Sequence, residues 1–69
     1  MKNSIKVERA RNDMTQARLA ELVSVSRQTI NAIELGKYNP STILALKMAS
    51  VFNISVNDLF HLESTDWEK

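Results

Sequence analysis

The chain of 69 residues has no cysteine, one glycine, one proline and one histidine. The lack of cysteine excludes disulfide bonds and thiolate metal sites, and it fits a reducing compartment. His61 is the only histidine, and no cysteine is present that could bind a metal ion together with it. We therefore expect neither a metal site nor a cofactor. No Ser–His–Asp set, glycine-rich phosphate loop or pair of opposed carboxylates can be assembled, and no small-molecule site is evident. The sequence therefore predicts a protein that is not an enzyme.

Long apolar runs are missing as well. No stretch approaches the ~20 apolar residues of a membrane span, and residues 1–13 lack the apolar segment of a signal peptide. We therefore expect a cytoplasmic protein with no membrane partner. Hydrophobic residues make up 43% of the chain, which is typical of a small globular protein. Its length predicts a single domain over residues 1–69 with a modest core.

The formal net charge of +1 conceals an uneven distribution. Residues 1–47 carry eight basic and four acidic side chains, a balance of +4, whereas residues 48–69 carry one basic and four acidic side chains, a balance of −3. Such a gradient allows the first two-thirds of the chain to face a polyanion while the acidic end points away. Chance produces similar imbalances in small helical proteins, so charge alone identifies no partner.

Hydrophobic periodicity and helix-start signals predict an all-α fold of five helices, over residues 5–12, 16–23, 27–35, 42–52 and 56–60. Three starts share one pattern, in which an N-cap residue (Thr15, Ser26 or Ser55) has an apolar residue before it and another four residues after it. In the fourth helix we expect at least partial burial of five apolar residues: Ile43, Leu46, Met48, Ala49 and Phe52. Two alternatives remain open for the tail, residues 61–69. Either its first five residues form a short β-ribbon with residues 1–4, or the tail is disordered.

Residues 15–35 have the pattern of two short helices joined by a tight turn. Ala20 provides a small side chain where the helices cross, and five apolar residues form a seam between them: Leu19, Val23, Val25, Ile30 and Ile33. Burying each such residue contributes roughly 1.5–3 kcal/mol, so the seam holds the angle between the helices.

With the seam turned inward, Arg27, Gln28 and Asn31 point outward near the start of the second helix. In helix-turn-helix proteins this end enters the major groove, where arginine pairs with guanine and glutamine or asparagine with adenine. The alternative for these residues is an ordinary solvated helix face.

Contacts to the DNA backbone are expected around the same two helices. Gln16 begins the first of them, where unpaired N–H groups and the helix dipole favour a phosphate. The other backbone candidates are three hydroxyl residues at or near the helix starts: Thr15, Ser26 and Thr29. The loop after the second helix adds Lys37, Tyr38 and Asn39, for which the alternative is an ordinary polar loop.

One such module buries only ~600–1,000 Å² on DNA, so we expect a homodimer. Two modules about 34 Å apart on double-stranded DNA would bind a palindrome. An apolar group near the end of the chain is the candidate dimer interface, with core packing as the alternative: Phe52, Leu59, Phe60 and Leu62.

The segments VSRQTINAIE and GKYNPS, within residues 15–41, resemble the Xre-type helix-turn-helix family, which includes the phage lambda and 434 repressors and Cro. The resemblance covers about residues 4–60. It implies a five-helix lambda-repressor-like DNA-binding domain, and a homodimer on a palindromic operator. It also implies that Gln16 contacts phosphate and braces the recognition helix, and that Arg27 and Gln28 contact bases.

By the same resemblance, Asn31 and Ala32 occupy the next exposed turn of the recognition helix, and Arg9 with Glu34 forms a largely buried salt bridge between the first and third helices. The chain departs from the family at two positions. Ser24 stands where a glycine is usual in the turn, at a strain of roughly 1 kcal/mol. Leu35 replaces a polar residue that often contacts the DNA backbone.

These features together predict a sequence-specific transcriptional regulator that represses by covering promoter DNA. Two alternatives assign the main role to a protein partner. One is an antitoxin-like protein whose acidic tail binds a second protein, and the other is an adaptor that no longer binds DNA.

Overall fold

The structure, a computed structural model, describes residues 1–68 as five α-helices, a two-stranded ribbon and one 3-10 helix. Lys69, the last residue of the predicted tail, lies outside the described residues. The helices are α1 (Ile5–Arg11), α2 (Gln16–Val23), α3 (Arg27–Glu34), α4 (Thr42–Phe52) and α5 (Val56–Leu59). Strands β1 (Lys2–Asn3) and β2 (Phe60–His61) pair, and the 3-10 helix covers Ser64–Trp67. The prediction of an all-α fold with a short terminal ribbon is confirmed. Within residues 1–68, no helix is long and apolar enough to cross a membrane.

The helix starts lie where the sequence predicts them. The side chains of Thr15, Ser26 and Ser55 each accept a hydrogen bond from the backbone N–H three residues later, at 3.0, 3.1 and 3.3 Å. Ser41 caps α4 in the same way, at 3.1 Å from the Leu44 nitrogen. These bonds satisfy backbone donors that a helix leaves unpaired at its first turn. Local residue chemistry therefore determines where four of the five α-helices begin.

Three helices end one residue earlier than predicted. The boundary falls at Arg11 in α1, at Glu34 in α3 and at Leu59 in α5. The last of these has a tertiary cause, because the next residue, Phe60, turns into strand β2 and pairs with Asn3. The ribbon therefore begins at residue 60 and not at residue 61, and the end of the predicted strand becomes the start of the 3-10 helix.

The core lies where α1 to α5 and β2 meet. Its fully buried large side chains come from every helix: Ile5, Leu19, Val23, Ile30, Ile33, Met48 and Leu59. The predicted seam between α2 and α3 is part of this core, and Val25 packs against it as a half-buried residue.

Helix α4 buries Met48, Ala49 and Phe52 as predicted, but not Ile43 and Leu46. Leu44, Met48 and Phe52 are buried at a spacing of four residues, so they share one face of the helix. Ile43 and Leu46 lie away from that face and are 68% and 53% exposed. The expectation that these two side chains are buried was wrong, because a helix that is apolar on most sides does not itself indicate which side meets the core.

The predicted dimer interface also needs correction. Phe52 and Leu59 are buried within the single chain, so they have little surface left to offer a second copy, and for these two residues the alternative of core packing holds. Phe60 is 8% exposed and lines a groove beside α4. Leu62, the fourth member, is 65% exposed.

The terminal ribbon joins the two ends of the chain beside α3. Lys2 pairs with His61 and Asn3 with Phe60 in antiparallel register. The Asn3 amide nitrogen donates to the Ile33 carbonyl oxygen at 2.9 Å, and the same oxygen also accepts the Gly36 N–H at 3.0 Å. The ribbon therefore secures the C-terminal end of α3.

An ionic contact completes this arrangement. The Met1 ammonium lies 3.1 Å from carboxylate oxygens of both Glu63 and Asp66. The Asp66 carboxylate also accepts the Glu63 N–H at 2.7 Å. That hydrogen bond, and after it the ammonium, lower the pKa of Asp66. The hydrogen bonds that the ammonium donates to Asp66 and Glu63 raise the pKa of the Met1 amine.

The turn between α2 and α3 contains a residue with positive φ that is not glycine. Ser24 adopts the left-handed conformation, at φ 62° and ψ 45°. The N–H groups of Ser24 and Val25 close the end of α2 by bonding to the Glu21 and Ala20 carbonyl oxygens. The backbone thus keeps the shape that a glycine would allow, with serine bearing the strain.

Replacing this residue tests the strain. Ser24→Gly should raise the free energy of unfolding by about 0.5–1 kcal/mol, because the relief of left-handed strain exceeds the added flexibility of the unfolded chain. The matched control is Ser50→Gly, since Ser50 is an exposed serine inside α4. This substitution should lower the free energy of unfolding by about 0.5 kcal/mol. Urea denaturation measures both values. A loss of stability in Ser24→Gly equal to that in the control would contradict the strain.

Candidate nucleic-acid interface

The outward face of α3 carries the side chains that were predicted to contact bases. Arg27, Gln28 and Asn31 are exposed, whereas Ala32 is half-buried. The inward face is occupied by Ile30 and Ile33 of the core. Each step along an α-helix turns by about 100°, so the three polar side chains form a continuous strip on the opposite side from the core. The structure therefore presents hydrogen-bonding groups to the solvent on a helix whose rear is packed.

One carboxylate holds α3 against both preceding helices. Arg9 of α1 donates to Glu34 from Nε at 2.6 Å and from Nη2 at 3.1 Å. Gln16 of α2 donates from Nε2 to the same carboxylate at 3.0 Å. A further Arg9 nitrogen, Nη1, donates to the Met14 carbonyl oxygen at 2.9 Å. This two-pronged, largely shielded ion pair has the geometry that gives strong directional hydrogen bonds, and it orients α3.

The same network limits what Gln16 can do for a ligand. Its Nε2 also donates to Asn31 Oδ1 at 3.2 Å, so both hydrogens of its amide point at α3. A phosphate needs donors. The Arg18 N–H is bonded to the Thr15 side chain, so the backbone N–H groups of Gln16 and Ala17, which have no partner within the helix, remain as donors. These hydrogen bonds support the predicted role of Gln16 in bracing α3. The same bonds occupy the side-chain donors that a contact between Gln16 and a phosphate would need.

The hydroxyl groups at the helix starts are arranged as outward donors. Thr15 and Ser26 accept backbone N–H bonds through oxygen, which leaves the hydroxyl hydrogen of Thr15 available. Ser26 Oγ and Thr29 Oγ1 lie 2.9 Å apart, and that contact uses only one of their two hydroxyl hydrogens. Each helix start can therefore offer an O–H beside the N–H groups of its first turn.

The loop after α3 is fully open to solvent. Gly36, at φ 75°, closes the helix, and the Lys37 N–H bonds back to the Ala32 carbonyl oxygen at 2.9 Å. Lys37, Tyr38 and Asn39 are exposed beyond this turn. Leu35, which stands where the family often has a polar residue, is exposed too and offers only apolar surface.

Ion pairing divides the cations of this region into two groups. Arg18 pairs with Glu21, and Arg11 pairs with Glu8. Arg27, Lys37 and Lys47 form no ion pair with any residue of the part that the structure describes. Lys47 was not among the residues predicted from the sequence. The signal that could have indicated it is that Lys47 is the only charged residue in α4, whose sequence is TILALKMASVF.

Comparison with known proteins gives consistent matches. The profile of the Helix-turn-helix family matches residues 5–59. An uncharacterized HTH-type transcriptional regulator of Methanocaldococcus jannaschii is 48% identical over 66 residues, which cover 96% of this chain and 100% of the relative. The uncharacterized HTH-type transcriptional regulator YgzD of Bacillus subtilis is 49% identical over 63 residues, which cover 91% of this chain and 96% of the relative.

Two solved structures have a similar fold. The restriction-modification controller protein C.AhdI from Aeromonas hydrophila matches with a TM-score of 0.74 and 28% identity, over 81% of this chain and 85% of that chain. The clp gene regulator ClgR from Corynebacterium glutamicum matches with a TM-score of 0.75 and 27% identity, over 80% of this chain and 58% of that chain.

The shielded ion pair gives a test of how α3 is held. Glu34→Ala leaves Arg9 without its partner and should lower the free energy of unfolding by about 3 kcal/mol, since an isolated, largely buried charge is costly. Glu21→Ala removes the exposed partner of Arg18 and should cost less than about 1 kcal/mol. Chemical denaturation compares the two variants. Equal losses would show that the Glu34 carboxylate has no special structural role.

Proposed function

The chain belongs to the Xre-type helix-turn-helix family of DNA-binding transcriptional regulators, and we propose that it binds a palindromic operator as a homodimer and represses transcription by covering promoter DNA. The observation that carries the proposal is the exposed polar strip of α3, held at a defined angle by the Glu34 network. Such a repressor acts where the DNA is, and a cytoplasmic location is therefore part of the proposal.

In this proposal α3 lies in the major groove with its N-terminal half against the bases. Arg27 donates two parallel hydrogen bonds to a guanine, and Gln28 exchanges two with an adenine. Asn31 Oδ1 already accepts from Gln16, so its Nδ2 is the group that donates to a base. Ala32 touches a thymine methyl group. Each good bidentate pair discriminates between bases by about 1–3 kcal/mol.

Phosphate contacts on either side of α3 determine its register. The first turn of α2, with the Thr15 hydroxyl and the backbone N–H groups of Gln16 and Ala17, binds one phosphate. Ser26 and Thr29 bind from the start of α3, and Lys37, Tyr38 and Asn39 bind from the loop after it. Contacts of this kind position a protein on the duplex without specifying its sequence.

For the dimer, the exposed apolar surface favours a site beside the one predicted from the sequence. A groove of about 240 Å³ runs between α4, α5 and the start of the chain, and no charged side chain of residues 1–68 lines it. Its lining residues are Met1, Pro40, Thr42, Ala45, Leu46, Val56 and Phe60. Leu46 is the most exposed of the large side chains among them. Leu62, which is also exposed, follows Phe60 by two residues. We assign this groove, with Leu62, to the contact between two copies, since an apolar surface without charge suits burial against its own equivalent.

Selection of bound sites from random duplexes tests the DNA-binding role. The wild type should recover a two-fold symmetric motif. Arg27→Ala should then relax preference at one position of each half-site, by about 1–3 kcal/mol or roughly 5- to 150-fold. Lys37→Ala should instead weaken all sites by a similar factor, because phosphates carry no sequence information. Recovery of no motif would refute sequence-specific regulation, and the opposite pattern would reverse the two roles.

The dimer surface is tested by a pair of substitutions on one helix. Leu46→Glu places a charge in the apolar groove and should convert a dimer into a monomer at micromolar concentration, because burying an unpaired carboxylate is costly. Ile43→Glu is the control, since Ile43 has similar exposure on α4 but does not line this groove. Analytical ultracentrifugation measures the mass. A monomeric wild type, or dissociation of the Ile43→Glu variant alone, would contradict the assignment.

A further inference from the structure

A second groove lies on the opposite side of α4 and faces the helix-turn-helix. It measures about 340 Å³ and runs between the turn at residues 23–25, Thr29 of α3, Tyr38 of the loop and the first two turns of α4, as far as Lys47. We call it the α4 groove. We infer that the α4 groove binds the sugar-phosphate backbone of one DNA strand, with Lys47 as its cation. This inference rests on the proposed function. To the phosphate contacts of Thr29 and Tyr38 it adds Ser41, which caps α4, and Lys47.

The chemistry of the lining favours a phosphate over other occupants. Among residues 1–68, no carboxylate lines the α4 groove, and its polar groups are one lysine, one phenol and three hydroxyls, from Ser24, Thr29 and Ser41. The groove at the start of the chain differs, because Glu34 and Glu63 line it and oppose the charge of its one lysine, Lys2. The groove assigned to the dimer contains no cation among its described side chains. Of these three grooves, only the α4 groove combines donors with an unopposed positive side chain.

Several of these donors are free to point outward. Ser41 Oγ accepts the Leu44 N–H at 3.1 Å, so its own hydrogen is available to a phosphate oxygen. Lys47 is exposed and has no ion-pair partner among residues 1–68. Ile43, which also lines the groove and is largely exposed, provides an apolar surface for a deoxyribose ring. Core packing does not explain the exposure of Ile43, whereas contact with a sugar ring does.

The α4 groove and the start of α2 lie on different sides of α3. Asn31 contacts Gln16, so that side of α3 faces the start of α2. Thr29 lines the α4 groove and lies two residues earlier, at about 200° around the helix. The two flanks of the base-contacting strip are therefore bordered by different structures, with α2 on one side and the α4 groove on the other. A helix in the major groove is bordered by one backbone on each side, and the two borders fit one strand each.

The salt dependence of DNA binding separates a phosphate contact from other effects. With a short duplex of mixed sequence, the slope of log affinity against log salt concentration changes by about 0.9 for each phosphate that the protein no longer neutralises. Lys47→Gln should make the slope shallower by that amount for each Lys47 side chain at the interface, and should leave the preferred sequence unchanged. Lys47→Arg should keep the wild-type slope. All the substituted positions are exposed, and circular dichroism verifies that the variants fold.

Lys6→Gln is the matched control. Lys6 is an exposed lysine of α1, and it belongs neither to α3 nor to the lining of the α4 groove. Its removal should leave the slope unchanged. An unchanged slope in Lys47→Gln, with a shallower slope in Lys37→Gln, would overturn the inference while leaving the proposed function intact. Equal effects of Lys6→Gln and Lys47→Gln would also overturn it, because they would show a response to net charge alone. A wild type that shows no salt-dependent binding would refute the proposed function itself.

Discussion

The orientation of α3 depends on one carboxylate. Glu34 accepts hydrogen bonds from Arg9 and from Gln16, so a single group on α3 joins it to α1 and to α2. The apolar seam supplies most of the stabilisation, but apolar contacts have little directionality and several packings can bury a similar area. A shielded two-pronged ion pair has one good geometry. The cost of desolvating the two charges offsets much of their attraction. The ion pair therefore contributes more to the angle of α3 than to the net stability.

This network also divides the polar residues into those that hold the structure and those that remain free for a ligand. Gln16 directs its donors to α3, and Asn31 accepts one of them. Arg27 and Gln28 have no such internal partner among the described residues, although they lie on the same helix as Asn31. A ligand can exchange hydrogen bonds only with groups that are not already paired, so Asn31 retains its Nδ2 donors, whereas Arg27 and Gln28 retain all their polar groups.

The ends of the chain support the far end of α3. Asn3 caps a carbonyl group of the helix, and strand pairing with residues 60–61 holds Asn3 in place. The tail is in turn tied to the Met1 ammonium through Glu63 and Asp66. The acidic part of the chain is thus engaged with its own N-terminus, and the basic side chains Arg27, Lys37 and Lys47 lie around the helix-turn-helix. The charge gradient seen in the sequence has both a structural and an electrostatic consequence.

The sequence by itself determined the features that depend on near neighbours. Helix starts follow from hydroxyl caps and apolar pairs a few residues apart, and the exposure of Arg27, Gln28 and Asn31 follows from the inward positions of Ile30 and Ile33 on the same helix. Only the tertiary structure decided which side of α4 is buried, since nearly every position in that helix is apolar and the periodicity is weak. For that reason Phe52 joined the core and Ile43 and Leu46 did not. The engagement of both Gln16 amide hydrogens and the place of Lys47 in a groove likewise depend on groups far away in the chain, and no local pattern contains those distances.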